Sequence, residues 1–143
     1  MAKDTTSNST GMMFNISLFL VAVVNLVVFY LANMFFPENI VLGTISLTAS
    51  WALILTSTAL SLITVIMMPF LRMWEMNQKR DMKPAEMIGV YFVINFVGLW
   101  LLTRASDVFG LGVTSWIVVL LLAVVLDFAQ GMVMMQVDQM RKK

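Results

Sequence analysis

Two stretches of this chain, Met12 to Phe36 and Ile40 to Leu71, contain no Asp, Glu, Lys or Arg. A helix needs about 20 apolar residues to cross the ~30 Å hydrocarbon core of a bilayer, so each run is long enough to span it. Two further apolar runs, about 86–102 and about 114–136, follow them, and together the four fill most of the 143 residues. With 60% apolar and 12% charged residues, the chain has too little polar surface to coat a water-soluble core. The expected fold is all-α: a polytopic membrane protein of four transmembrane helices in an up-down-up-down bundle, with the lipid bilayer as its first partner.

The absent residue types narrow the chemistry. There is no cysteine, hence no disulfide framework, thiolate metal site or thiol nucleophile, and no histidine to act as ligand or base. Serines are plentiful without a base to activate one, and no glycine-rich phosphate loop, nucleophile elbow or pair of nearby intramembrane carboxylates stands in the text. The 14 methionines are dispersed along the chain, which suits adaptable apolar filling better than a metal route. We therefore expect no enzyme, no cofactor and no metal, and the formal charge of +1 gives no case for nucleic acid.

Punctuation between the runs sets the boundaries. Residues 1–11 (MAKDTTSNSTG) are polar and aperiodic and read as a flexible tail. The first apolar run is too long for a signal-peptide core and is expected to be retained. It stops at Pro37-Glu38-Asn39, whose brevity makes spans 12–36 and 40–71 an antiparallel hairpin. The second run exceeds one crossing and is expected to continue into the interface past Pro69, with Phe70, Leu71 and Trp74 at headgroup level beside Arg72. In the loop 72–85, Glu75 and Lys79 are placed to pair at i, i+4 if the helix continues. Pro84 and Glu86 open the third helix, and Thr103–Val113, with Arg104, Asp107 and two glycines, reads as a second outer turn. Residues 137–143 form a charged end.

Lys and Arg then orient the chain. Lys3, the loop residues Arg72, Lys79, Arg80 and Lys83, and the terminal Arg141, Lys142 and Lys143 fall on one side, eight against the single Arg104 of the outer turns. The positive-inside rule places both termini and the basic loop in the cytoplasm. Asn8-Ser9-Thr10 and Asn15-Ile16-Ser17 match the glycosylation pattern, but that side is the wrong one for it.

The halves resemble each other. Val24-Asn25-Leu26-Val27 with Tyr30-Leu31 aligns with Ile94-Asn95-Phe96-Val97 and Trp100-Leu101, and Ser50-Trp51 with Ser115-Trp116, the offset changing by five residues in the outer turn. This predicts two tandem helical-hairpin repeats about an axis along the membrane normal.

Polar residues inside the runs are the candidate site. Asn25 and Asn95, each mid-span, are expected to meet near the bilayer centre, either as helix glue or along a polar path for an ion or small solute. Asp127 is the costliest residue, about 2.5–3.5 kcal/mol at a helix centre on insertion scales, and needs a partner from Asn25, Asn95, Thr58, Ser61 or Thr64. Gln130 and Gly131 follow it at i+3 and i+4, giving that face a carboxyl, an amide and a gap for close approach. Ser46, Ser50, Ser57, Ser61 and Thr64 share a face of the second helix as small-xxx-small packing steps.

The run Ile94-Asn95-Phe96-Val97-Gly98-Leu99-Trp100-Leu101 is similar to the INxxxLWL run of the YvlD-like small bacterial membrane proteins, grouped under phage holin superfamily four. That resemblance implies four helices in a bacterial inner membrane and leaves the role open. The chain departs from the family pattern at the end of the second helix, where Pro69 remains but Leu62–Met68 lacks the family's Asn and Arg. The function expected from the residues is structural or assembly-type: association through polar helix faces with a further copy, as a homo-oligomer, or with a larger membrane-protein partner. The alternative is a holin-like or channel-type oligomer conducting past Asp127, Asn25 and Asn95.

Overall fold

The computed structural model describes the backbone of residues 4–141, with side chains over 11–136 and at Gln139. The element order is α1 (Asp4–Phe35), β1 (Ile40–Leu42), α2 (Ala49–Gln78), α3 (Pro84–Arg104), α4 (Ser106–Phe109), β2 (Leu111–Val113) and α5 (Trp116–Arg141). Four helical segments are long and apolar enough to cross a membrane: Gly11–Phe35, Ala49–Gln78, Pro84–Arg104 and Trp116–Gln136. The fold is therefore a polytopic four-helix bundle. Its helices pack as a ring in the order α1, α2, α3, α5 and back to α1.

The second apolar run does not become one helix from 40. Ile40–Leu42 pairs antiparallel with Leu111–Val113, in the register Ile40 to Val113, Val41 to Gly112 and Leu42 to Leu111, and α2 begins only at Ala49. β-Branched Ile40 and Val41 suit a strand, and Gly43, at φ +103°, supplies the turn that follows. The Gly43 amide donates to the Gly110 carbonyl (2.8 Å), the Thr114 amide to the Asn39 carbonyl (3.1 Å), and the Asn33 side chain to the Ile40 carbonyl (2.7 Å). A two-stranded ribbon thus ties the two outer turns together and closes one end of the bundle. Gly110, at φ +76°, lets this ribbon settle on α2: a Cβ there would stand 2.5 Å from Ala52 Cβ.

At the opposite end α2 runs through Pro69 to Gln78. Proline removes one backbone donor and crowds the preceding turn, a defect that helices in bundles absorb through their neighbours. The expected loop 72–85 accordingly shortens to 79–83, and Arg72 belongs to α2. The expected Glu75–Lys79 pair gives way to other bonds. Lys79 ends the helix in the left-handed conformation (φ 53°), while the Glu75 carboxylate accepts from the Met82 amide (3.1 Å). Glu86 accepts two guanidinium bonds from Arg80, both 3.1 Å, and one from the Lys83 amide (3.1 Å), fixing the start of α3.

The outer helices also run past their expected limits. α1 is helical from Asp4 and not only from Met12, and α5 continues through the expected charged end to Arg141. Once a helix is nucleated, each added residue gains a hydrogen bond, so polar flanks continue it cheaply. Lys3, Lys142 and Lys143 lie outside the described residues.

Phe29, Leu60, Leu99, Leu102, Leu111, Val119, Leu122, Ala123 and Leu126 form the apolar core beneath the ribbon. Phe19, Leu121 and Phe128 are among the many large apolar side chains on the outside. An outer face of this composition suits acyl chains.

Candidate functional site

The buried stripe of each helix contains an interruption. On α1 the stripe is Val21, Asn25, Phe29; on α3 it is Asn95, Leu99, Leu102; on α5 it is Val119, Leu122, Leu126, Gln130; on α2 it is Thr56, Leu60, Ser61, Thr64. These are helical repeats of three and four, so every polar residue in them inherits an inward direction from its apolar neighbours. Asn25, Asn95 and Ser61 are 0% exposed and Gln130 4%.

They join in one directed chain of hydrogen bonds. Asn95 Nδ2 donates to Gln130 Oε1 (3.1 Å), Gln130 Nε2 to Asn25 Oδ1 (2.6 Å), Asn25 Nδ2 to Ser61 Oγ (2.9 Å), and the Ser61 hydroxyl to the Ser57 carbonyl (2.6 Å). Contrary to the expectation from their depth, Asn25 and Asn95 do not meet directly; Gln130 bridges them. The layer crosses the α3/α5, α5/α1 and α1/α2 contacts and leaves the α2/α3 contact without a polar bond among the described residues. There the packing is apolar, with Gly98 so close to α2 that a Cβ would stand 2.9 Å from Leu60 Cδ1. Among the described residues two buried side-chain atoms lack a partner, Asn95 Oδ1 on α3 and Ser57 Oγ on α2.

None of the amides and hydroxyls in this layer titrates in the physiological range, so its bonds carry no charge and offer no general acid or base. What the arrangement does is hold four helices at one register: an amide pulled out of it would be left unpaired in a medium without water.

The remaining expected residues fall elsewhere. Asp127 is half-buried at the edge of the α5 stripe and makes no hydrogen bond to Asn25, Asn95, Thr58, Ser61 or Thr64. Ser57 and Thr64 are buried on α2, Thr64 bonding back to the Leu60 carbonyl (3.0 Å). Ser46 and Ser50 are exposed, and Ser46 precedes α2 and bonds to Thr44 (3.3 Å), so neither is buried against another helix of this chain. Gly131 faces open space, and the close approach expected of it is made by Gly98. Of the basic loop, Arg80 is paired with Glu86, while Arg72, Lys79 and Lys83 are exposed.

Sequence reasoning missed Thr56, whose hydroxyl donates to the Phe109 carbonyl (3.1 Å) and anchors the short helix α4. It also missed Arg104, stacked 4.8 Å from the Trp100 ring centroid. The i, i+4 spacing of Trp100 and Arg104 was the available signal for the latter. Among the described residues no three His, Cys, Asp or Glu side chains gather. No family model matches the chain, and no match was found among curated proteins or solved structures.

Proposed function

We propose that this chain is a structural or assembly-type protein of the bacterial inner membrane, with both termini and the loop 79–83 in the cytoplasm, that associates in the bilayer with itself or with a larger membrane protein. The observation that carries the reading is the contrast between Asp127 and the other intramembrane polar groups. Asn25, Asn95, Ser61 and Gln130 satisfy one another inside the bundle. Asp127, on the same helix as Gln130, has no hydrogen bond or ion pair to a described residue. A carboxyl near a helix centre carries a penalty of about 2.5–3.5 kcal/mol, and a protein partner is the ordinary means of relieving it.

Extraction in mild detergent followed by native mass measurement tests this reading. The expected result is a species heavier than the 16.1 kDa chain; a lone monomer at every concentration would defeat it. The cytoplasmic placement is supported by the eight-to-one distribution of Lys and Arg.

A holin-like or channel-type oligomer is the second reading. It needs Asn25, Asn95 and Asp127 to face water, whereas Asn25 and Asn95 are 0% exposed and bonded within the bundle. That favours the assembly reading. Sustained conductance from reconstituted protein, lost in Asp127→Asn, would reverse the order.

A further inference from the structure

Asp127 stands about three helical turns, roughly 16 Å, into α5 from Trp116, which is about half of a ~30 Å hydrocarbon core. Around it on the outer side of α5, Val124 is 47% and Phe128 71% exposed. Gly131, one turn further on, has nothing within 4 Å of where a Cβ would stand. The carboxyl is thus set in an apolar face beside a gap that admits a close approach.

Among the described residues no cation is paired with Asp127. Arg104 closes α3 at the ribbon end and lies over Trp100; Arg72 is near the other end of α2; Lys79, Arg80 and Lys83 are in the turn beyond it. A second copy brings the same set of charges, and packed α5 against α5 about a two-fold axis it would set Asp127 against another carboxyl. A foreign helix with one basic residue at mid-depth supplies a cation that the described residues do not place against Asp127, and its side chain would find both a counter-charge and room at Gly131.

We infer that the outer face of α5, formed by Val124, Asp127, Phe128 and Gly131, docks a transmembrane helix of a different protein that carries a Lys or Arg near the bilayer centre. The inference rests on the assembly reading and names its partner by chemistry.

The test uses the full chain in phosphatidylcholine vesicles. Asp81→Cys provides one labelling site outside the helices, since the sequence has no other cysteine. The probe is a synthetic polyleucine helix with a single central Lys and an acceptor dye, with an all-leucine helix as control. Energy transfer to the Lys helix should exceed that to the control. Asp127→Asn should weaken the association at least about fivefold, Asp127→Glu should retain it, and Gly131→Leu should weaken it with the carboxyl still present. Because Asp127 lies outside the bonded polar layer, unchanged helicity of Asp127→Asn shows that the loss is local.

Equal transfer to both helices would overturn the inference, as would self-association of the labelled chain that Asp127→Asn abolishes. In both cases a native mass above the monomer leaves the assembly reading standing. A monomer at all concentrations that also ignores the Lys helix removes the two together.

Discussion

Gln130 Nε2 donates to Asn25 Oδ1 over 2.6 Å, joining residues 105 positions apart in the chain. This bond connects the hairpin of α1 and α2 to the hairpin of α3 and α5 in mid-membrane, as the ribbon of β1 and β2 connects them at one end. Each half contributes a mid-span asparagine whose amide donates to the following long helix, Asn25 to Ser61 and Asn95 to Gln130. The parallel breaks in the return bond. Gln130 is long enough to reach back to Asn25, whereas Ser61 bonds within its own helix and leaves Asn95 Oδ1 unpaired.

Replacing the two asparagines should therefore have unequal effects. Asn25→Leu removes two interhelical bonds and strands the Gln130 amide, at a cost of about 1–3 kcal/mol. Asn95→Leu removes one bond and strands Gln130 Oε1, but it also removes an already unpaired acceptor, and should cost about 1 kcal/mol less than Asn25→Leu. A double-mutant cycle of Asn25→Leu with Gln130→Leu should show coupling of about 0.6–1.7 kcal/mol. Reversible unfolding in mixed micelles measures all of these; equal losses at the two asparagines would contradict the asymmetry.

Three glycines should rank by what surrounds them. Gly110→Ala places a Cβ 2.5 Å from Ala52 in a left-handed conformation and should cost about 2–4 kcal/mol. Gly98→Ala meets the end of the Leu60 side chain at 2.9 Å, with Ile63 at ordinary contact distance (3.5 Å), and should cost about 1–2 kcal/mol. Gly131→Ala meets nothing within 4 Å and should stabilise the isolated chain by about 0.5–1 kcal/mol. The same unfolding assay decides, and any other order would count against the packing described.

The ribbon register can be checked by oxidation. Val41 and Gly112 are opposite each other, and a Cβ at 112 would stand 3.8 Å from Val41 Cβ, the usual Cβ separation of a disulfide. Val41→Cys with Gly112→Cys should cross-link readily. Val41→Cys with Val113→Cys should not, because neighbouring strand residues point to opposite faces. Comparable cross-linking of the two pairs would indicate a slipped register.

Sidedness is open to the same cysteine-free background. Ile45→Cys, at the fully exposed tip of the turn after β1, and Asp81→Cys, in the turn between α2 and α3, should react with a membrane-impermeant maleimide from opposite sides. Labelling of both in intact cells would break the four-span topology.

Much of the site was legible as residue type and little of it as geometry. An amide in a charge-free run announces itself, so Asn25 and Asn95 stand out without a structure. Gln130 and Asp127 do not separate in the sequence: three residues apart, they lie about 60° apart on a helix of 3.6 residues per turn, both near the polar edge of one stripe. Packing separates them, leaving Gln130 4% exposed and Asp127 only partly buried at the edge of the stripe. The start of α2 was hidden for a different reason. Residues 40–48 are as apolar as the helix they precede, and what makes 40–42 a strand is a partner at 111–113, some seventy residues away.

The sequence by itself determined the solvent and the count. Four runs too apolar for water and long enough for a bilayer leave a four-span helical protein as the low-energy form, because backbone polar groups in lipid must be satisfied within each segment. Tertiary structure alone decided which polar groups face one another, that Gln130 and not Asp127 closes the polar layer, and that a ribbon seals one end. Those outcomes depend on neighbours far apart in the chain, whose contacts arise only when the helices fix one another's rotation and depth.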